Sequence, residues 1–135
     1  MKKNRSRLVT VLIALLLVTL LAGCKGSTTT AGPKGITYNF TKLEMDEPVE
    51  IDAKFSFDDG ILTVKLGSGT ANVQICRTTE PDKDIAGSYM ELETLYEGQG
   101  LKNGDEVEVS GMRGFVVVRV WGDGKDGIVK VAAKK

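Results

Sequence analysis

Two cysteines, eighteen acidic side chains and no histidine set the chemistry open to this chain. Without an imidazole there is no base for a Cys-His or Ser-His nucleophile pair, and imidazole-ligated zinc is excluded with it. Cys76 ends the alternating segment Thr70-Ala71-Asn72-Val73-Gln74-Ile75-Cys76. Unpaired cysteines are among the most buried residue types, so Cys76 reads as a structural thiol and not as a nucleophile. Cys24 stands at the end of a long apolar run. Two cysteines in an exported chain can pair, so whatever Cys24 carries decides whether Cys76 is free.

Acidic pairs occur at Asp58-Asp59 and at Glu91 and Glu93. A glycosidase needs two carboxyl groups flanking one bond, but eighteen acids in a short chain supply such pairs on any solvated surface, and these are read that way. Gly122-Asp123-Gly124-Lys125-Asp126-Gly127 has the glycines and aspartates of a calcium loop without its spacing, since EF-hand ligands recur at alternate positions and close on a distant glutamate. It reads as a hairpin turn, and no metal or cofactor is expected. The strongest candidate surface lies in Phe115-Val116-Val117-Val118-Arg119-Val120-Trp121. With Val116, Val118 and Val120 turned inward, Phe115, Val117, Arg119 and Trp121 share the opposite face. Either the Arg77 to Gly100 segment covers that face, or it is a binding surface on which Trp121 stacks on a sugar or grips a peptide while Arg119 pairs with a carboxylate.

The N-terminus explains Cys24. Met1 to Arg7 carries four cations and no anion, and Leu8 to Ala22 is an apolar run of 15 residues. That is the charged and apolar order of an export signal. A transmembrane helix needs about 20 apolar residues to cross roughly 30 Å of hydrocarbon, and a buried helix apolar on every face needs more cover than the mature chain offers. Leu21-Ala22-Gly23-Cys24 resembles the lipobox of bacterial lipoproteins, in which small residues precede an invariant cysteine. The resemblance implies a diacylglyceryl group on the Cys24 thiol, cleavage between Gly23 and Cys24, and no disulfide to Cys76. Two acyl chains suffice for stable anchoring, each buried methylene contributing about 0.8 kcal/mol. Lys25 is not the aspartate that retains enteric lipoproteins at the inner membrane, so the expected location is the extracytoplasmic face of the cell membrane or outer membrane. The resemblance ends near Lys25 and says nothing of the domain beyond it.

Removing residues 1–23 leaves 112 of 135, enough for one domain with a modest core. The four cations leave with the signal, so 18 basic side chains fall to 14 against 18 acidic ones, a net of about −4. Nucleic-acid binders show a basic patch or stripe, so no nucleic-acid partner is expected. Residues 24–35, the lipidated cysteine followed by small polar residues, read as a flexible tether. About eleven such residues span some 20 Å, which leaves 36–135 as the folded domain.

Elements of period two must position the candidate residues. Val49 to Phe57 alternates without a break, Asp58-Asp59-Gly60 provides a tight turn, and Ile61 to Leu66 reads as the returning strand of a hairpin. Gly67-Ser68-Gly69 turns into Thr70 to Cys76, which suggests a three-stranded meander. Tyr89 to Tyr96 fits two templates: a strand groups Met90, Leu92 and Tyr96, a short helix groups Tyr89, Leu92, Leu95 and Tyr96, and its neighbours favour the strand. Lys102 to Asp105 is a turn, Glu106 to Val109 a strand, Phe115 to Trp121 a central strand, and Ile128 to Ala132 closes the fold.

Seven to nine short strands with glycine-rich turns argue for an all-β, small antiparallel β-sandwich, with a small barrel as the alternative. The closing pattern resembles jelly-roll-like or immunoglobulin-like envelope domains in a generic way that transfers no site residue. The function expected is a membrane-anchored, extracytoplasmic, non-catalytic module, monomeric, that binds a glycan or peptide or supports an envelope assembly; the alternative is a purely structural domain. Cys24→Ala should abolish acyl-lipid labelling and signal removal. Retention of the label at the wild-type level would show that the lipid is not on Cys24.

Overall fold

The computed structural model describes residues 27–81 and 88–134. The expected export signal at 1–23, the expected cleavage position at Gly23, and Cys24 to Gly26 lie outside them. The described residues form nine strands and no helix: β1 Thr28–Gly32, β2 Gly35–Lys42, β3 Val49–Phe55, β4 Gly60–Lys65, β5 Ala71–Thr78, β6 Glu91–Leu101, β7 Glu106–Val109, β8 Gly114–Gly122 and β9 Lys125–Ala133. Alternation is what makes them strands: Ile51 and Phe55 of β3 are buried while Asp52 and Lys54 face water.

One sheet has the order β1-β2-β9-β4-β7 and the other β3-β8-β5-β6. β2 pairs with β9, β3 with β8, β4 with β7 and β5 with β6, all antiparallel. These eight strands are thus nested as one long hairpin bent over on itself, which is the double-sheet jelly roll and not the immunoglobulin arrangement. The core lies between the sheets. Ile36, Tyr38, Phe40, Leu62, Val64, Val129 and Val131 from one meet Ile51, Val73, Ile75, Val116, Val118 and Val120 from the other. Leu43 and Leu66 flank Gly124 at one end of the sandwich, and Met112 and Phe57 flank Gly60 at the other.

The nesting overturns the expected hairpin and meander, because β3, β4 and β5 alternate between sheets and none pairs with the next. Asp58-Asp59 turns a corner between sheets. Gly60 is the first residue of β4, and a side chain there would sit 2.8 Å from Met112 Sδ and 2.9 Å from Phe57. Its glycine serves close packing, where the hairpin reading required a turn conformation. The 122–127 turn is likewise a crossing between sheets and not a hairpin: β9 begins at Lys125, leaving only Asp123 and Gly124 as the connection.

A second correction concerns the tether. Thr28–Gly32 pairs residue for residue with β2 around the turn at Pro33 and Lys34, so order reaches eight residues further back than Ile36. As an edge strand almost wholly exposed, β1 has no buried face to stamp an apolar alternation on its sequence. In the middle of the chain the strand expectation holds for β6, but the grouping of Met90, Leu92 and Tyr96 does not. Register shifts against β5 turn Leu95 and Tyr96 both towards the core and leave Met90 and Leu92 exposed.

Cys76 and Val117 are directly opposed on β5 and β8, 1% and 0% exposed, and neither belongs to the main core. They make a small dry patch on the outward side of the four-stranded sheet. The Cys76 thiol should therefore react slowly with an exposed-thiol reagent in the native protein and rapidly in denaturant. Equal rates in both states would mean that the patch is open to solvent.

Candidate functional site

β8 brings Phe115, Val117, Arg119 and Trp121 together on its outward face, as alternation requires, but each meets a different environment. Phe115 lies opposite Lys54 of β3, whose ammonium stands 5.1 Å from the ring centroid. Val117 is fully buried. Trp121 is half-buried opposite Asn72, and the Asn72 side chain accepts a 2.9 Å hydrogen bond from the Gly100 N–H.

Arg119 is the centre of the face. Its cross-strand partners are Glu50 on β3 and Gln74 on β5. Nε donates to Glu50 Oε1 at 3.0 Å, Nη1 to Gln74 Oε1 at 2.9 Å, and Nη2 to Glu91. Tyr89 Oη donates to Glu50 Oε2 at 2.9 Å. Because β5 and β8 separate β6 from β3, these bonds draw the segment leading into β6 across the outward face. The Thr79 N–H donates to the Met90 carbonyl and the Met90 N–H to the Thr79 hydroxyl, which closes its base. The Arg77 to Gly100 segment thus supplies part of the cover, and the guanidinium is engaged on all three nitrogens.

The electrostatics follow from this packing. Burial works to lower the Arg119 pKa, but hydrogen bonds to Glu50 and Glu91 outweigh it and hold the value above the ordinary one. Arg119, and after it Tyr89, hold the Glu50 carboxyl below its usual 4.5. Burial, followed by the bond to Glu50, pushes the Tyr89 hydroxyl up. In the 122–127 segment Asp123 is spent on structure: Oδ1 accepts from the Thr70 N–H at 2.8 Å and from its hydroxyl at 3.1 Å. Among the described residues no group of three or more Cys, Asp or Glu could hold a metal ion. Glu93 approaches Arg77 at 3.6 Å on the surface, while Glu91 accepts from Arg119.

A second surface lies on the other sheet. A groove of about 410 Å³ crosses its outward face, lined by Thr37 of β2, Thr63 and Lys65 of β4, Glu106 of β7, and Ile128 and Lys130 of β9. Sequence reasoning missed it. Each residue sits at an outward position of its strand, and all but Ile128 are polar, yet nothing local says that four distant strands lie side by side.

No family model and no curated protein matches the chain. Among solved structures it is similar to the Yersinia pseudotuberculosis-derived mitogen, 8% identical over 76% of this chain and 88% of that one, with a TM-score of 0.45. A cupin superfamily protein from Desulfitobacterium hafniense DCB-2 is 12% identical over 81% and 76%, with a TM-score of 0.32. A family 16 carbohydrate binding module is 13% identical over 70% and 72%, with a TM-score of 0.30. These likenesses are distant.

Since the Glu50 carboxyl has a lowered pKa in the folded state, its contribution to stability is complete at neutral pH and is lost as pH falls below the ordinary carboxylate range and through the lowered value. Arg119→Ala should cost about 1 to 2 kcal/mol at pH 7, the range for charged hydrogen bonds discounted for half-exposed carboxylates. It should also flatten the acid limb of stability against pH. Denaturant midpoints from pH 7 to pH 3 that fall in parallel for the variant and the wild type would show that the cluster contributes nothing.

Proposed function

We propose that this chain is a lipid-anchored, extracytoplasmic jelly-roll domain that works by binding and not by catalysis. The observation that carries the reading is the position of β1. The first strand, β1, begins at Thr28, four residues after Cys24, so a lipid on that cysteine is at most about 14 Å of extended chain from it. This is shorter than the roughly 20 Å of an eleven-residue flexible tether. A domain so held works within its own diameter of the bilayer, with the end that carries Thr28, Asn39 and Ile128 nearest the lipid.

Catalysis is disfavoured by chemistry. The chain has no imidazole, the Cys76 thiol is buried with Thr94 as its hydrogen-bonding neighbour, and every nitrogen of the Arg119 guanidinium already donates, to Glu50, Gln74 and Glu91. That engagement also favours a structural role for Arg119 on the outward face of β8, and turns attention to the five-stranded sheet as the side to meet a ligand.

Fractionation tests the reading. The wild-type chain should sediment with membranes and be cut by external protease once the outer face of its membrane is exposed. Cys24→Ala, with unchanged circular dichroism, should leave the membrane fraction. Protection of the wild type from external protease on every exposed membrane face, or membrane retention of folded Cys24→Ala, would overturn the proposal.

A further inference from the structure

The groove on the five-stranded sheet gathers charged and hydroxyl side chains from four strands. Thr37, Lys130, Thr63 and Glu106 are directly opposed in one row across β2, β9, β4 and β7, and Asn39, Ile128 and Lys65 form the next row across β2, β9 and β4. Inward neighbours on the same strands, among them Tyr38, Leu62, Val64, Val129 and Val131, lock the row into the sandwich, so the outward side chains stand on a rigid floor.

Three features narrow the ligand. First, among the described residues Lys65, Lys130 and Glu106 make no ion pair, in contrast to Arg119, so two ammonium groups and one carboxylate retain their hydrogen-bonding capacity. Second, the charges are divided: Lys130 lies between two threonines in its row, Lys65 one row away, and Glu106 closes the row on β7. An anion is drawn to the lysines, while Thr37, Thr63 and Glu106 offer acceptors to a ligand's hydroxyl groups. Third, among the described residues no aromatic lines the groove; its apolar contact is Ile128. Stacking, the usual grip on a flat neutral sugar ring, is absent.

Resting on the reading of the domain as a non-catalytic binding module, we propose that this groove binds an acidic sugar unit, its carboxylate on Lys65 and Lys130 and its hydroxyls on Thr37, Thr63 and Glu106. A volume of about 410 Å³ is that of a small-ligand site and admits one or two rings of a longer glycan.

The test uses the full chain in detergent, titrated calorimetrically with trigalacturonate, with neutral galactotriose and with an oligoglutamate peptide of equal charge as the comparison probes. Trigalacturonate should bind, shift the amide resonances of Thr37, Thr63 and Ile128, and weaken with salt. Lys130→Gln and Lys65→Gln should each weaken it about tenfold, equivalent to ~1.4 kcal/mol, with unchanged denaturant midpoints. Arg119→Gln, on the opposite sheet, should leave the affinity as it was. Equal binding of oligoglutamate would show attraction to charge alone. Binding indifferent to both lysine variants, or no binding at all, would remove the site. Cys24-dependent membrane fractionation persisting alongside such a failure would strike only the groove and spare the anchored-domain reading.

Discussion

The register of β8 is the constraint on which the four-stranded sheet depends. This strand is covered on both faces: Val116, Val118 and Val120 fill the core, and Val117 is equally inaccessible on the outside. A slip of one residue against β3 or β5 would drive Arg119 into the core and bring a valine out. Arg119 opposes that slip directly, because its guanidinium bonds to the two residues paired with it, Glu50 and Gln74, and then to Glu91 beyond. The ion pairs are half-exposed and modest as energy. Their value lies in specificity, since only one register satisfies all three nitrogens at once.

The same interaction separates the two outward faces of the sandwich. On the four-stranded sheet the chain folds its own Tyr89 and Glu91 over β8, so the charges of Arg119 and Glu50 are already matched. On the five-stranded sheet the charged side chains in the groove are unmatched among the described residues, and the rows above the core are polar. An antiparallel sheet with one solvated face is ordinary. What distinguishes this one is a depression floored by Ile128 and ringed by hydroxyl, ammonium and carboxylate groups.

The sandwich is closed at both ends by residues that belong to no strand. Leu43 and Met112 are 2% and 0% exposed, each turned inward from a connection between strands. Their backbones are tied across the ends, Leu43 N–H to the Gly124 carbonyl and Met112 N–H to the Asp58 carbonyl. At Gly122, where β8 leaves its sheet, φ is 142° and a side chain would meet the Thr70 carbonyl at 2.6 Å, so the crossing demands glycine. The corners are therefore as specified as the strands, which is what nesting a single chain between two sheets requires.

Alternation along the chain determined the strands β3, β4, β5, β7, β8 and the end of β9 and the inward faces of Val116, Val118 and Val120, while residue type alone pointed to the burial of Cys76. Those are local matters: period two says which side of a strand is dry, and a run such as Val116 to Val118 says that both sides are. It could not say which strand lies beside which. Val49 to Phe57 and Ile61 to Leu66 alternate as well in a hairpin as in a corner between sheets, and only the nested pairing of β3 with β8 and β4 with β7 decides it. β1 escaped notice because an exposed edge strand is defined by its hydrogen bonds and not by its side chains. β6 was ambiguous because its register shifts break the period that would have marked it. The four outward residues of β8 were legible as a set, but Glu50 and Gln74 lie 69 and 45 positions from Arg119. Whether that arginine is free or spent is a property of neighbours in space, which tertiary structure alone supplies.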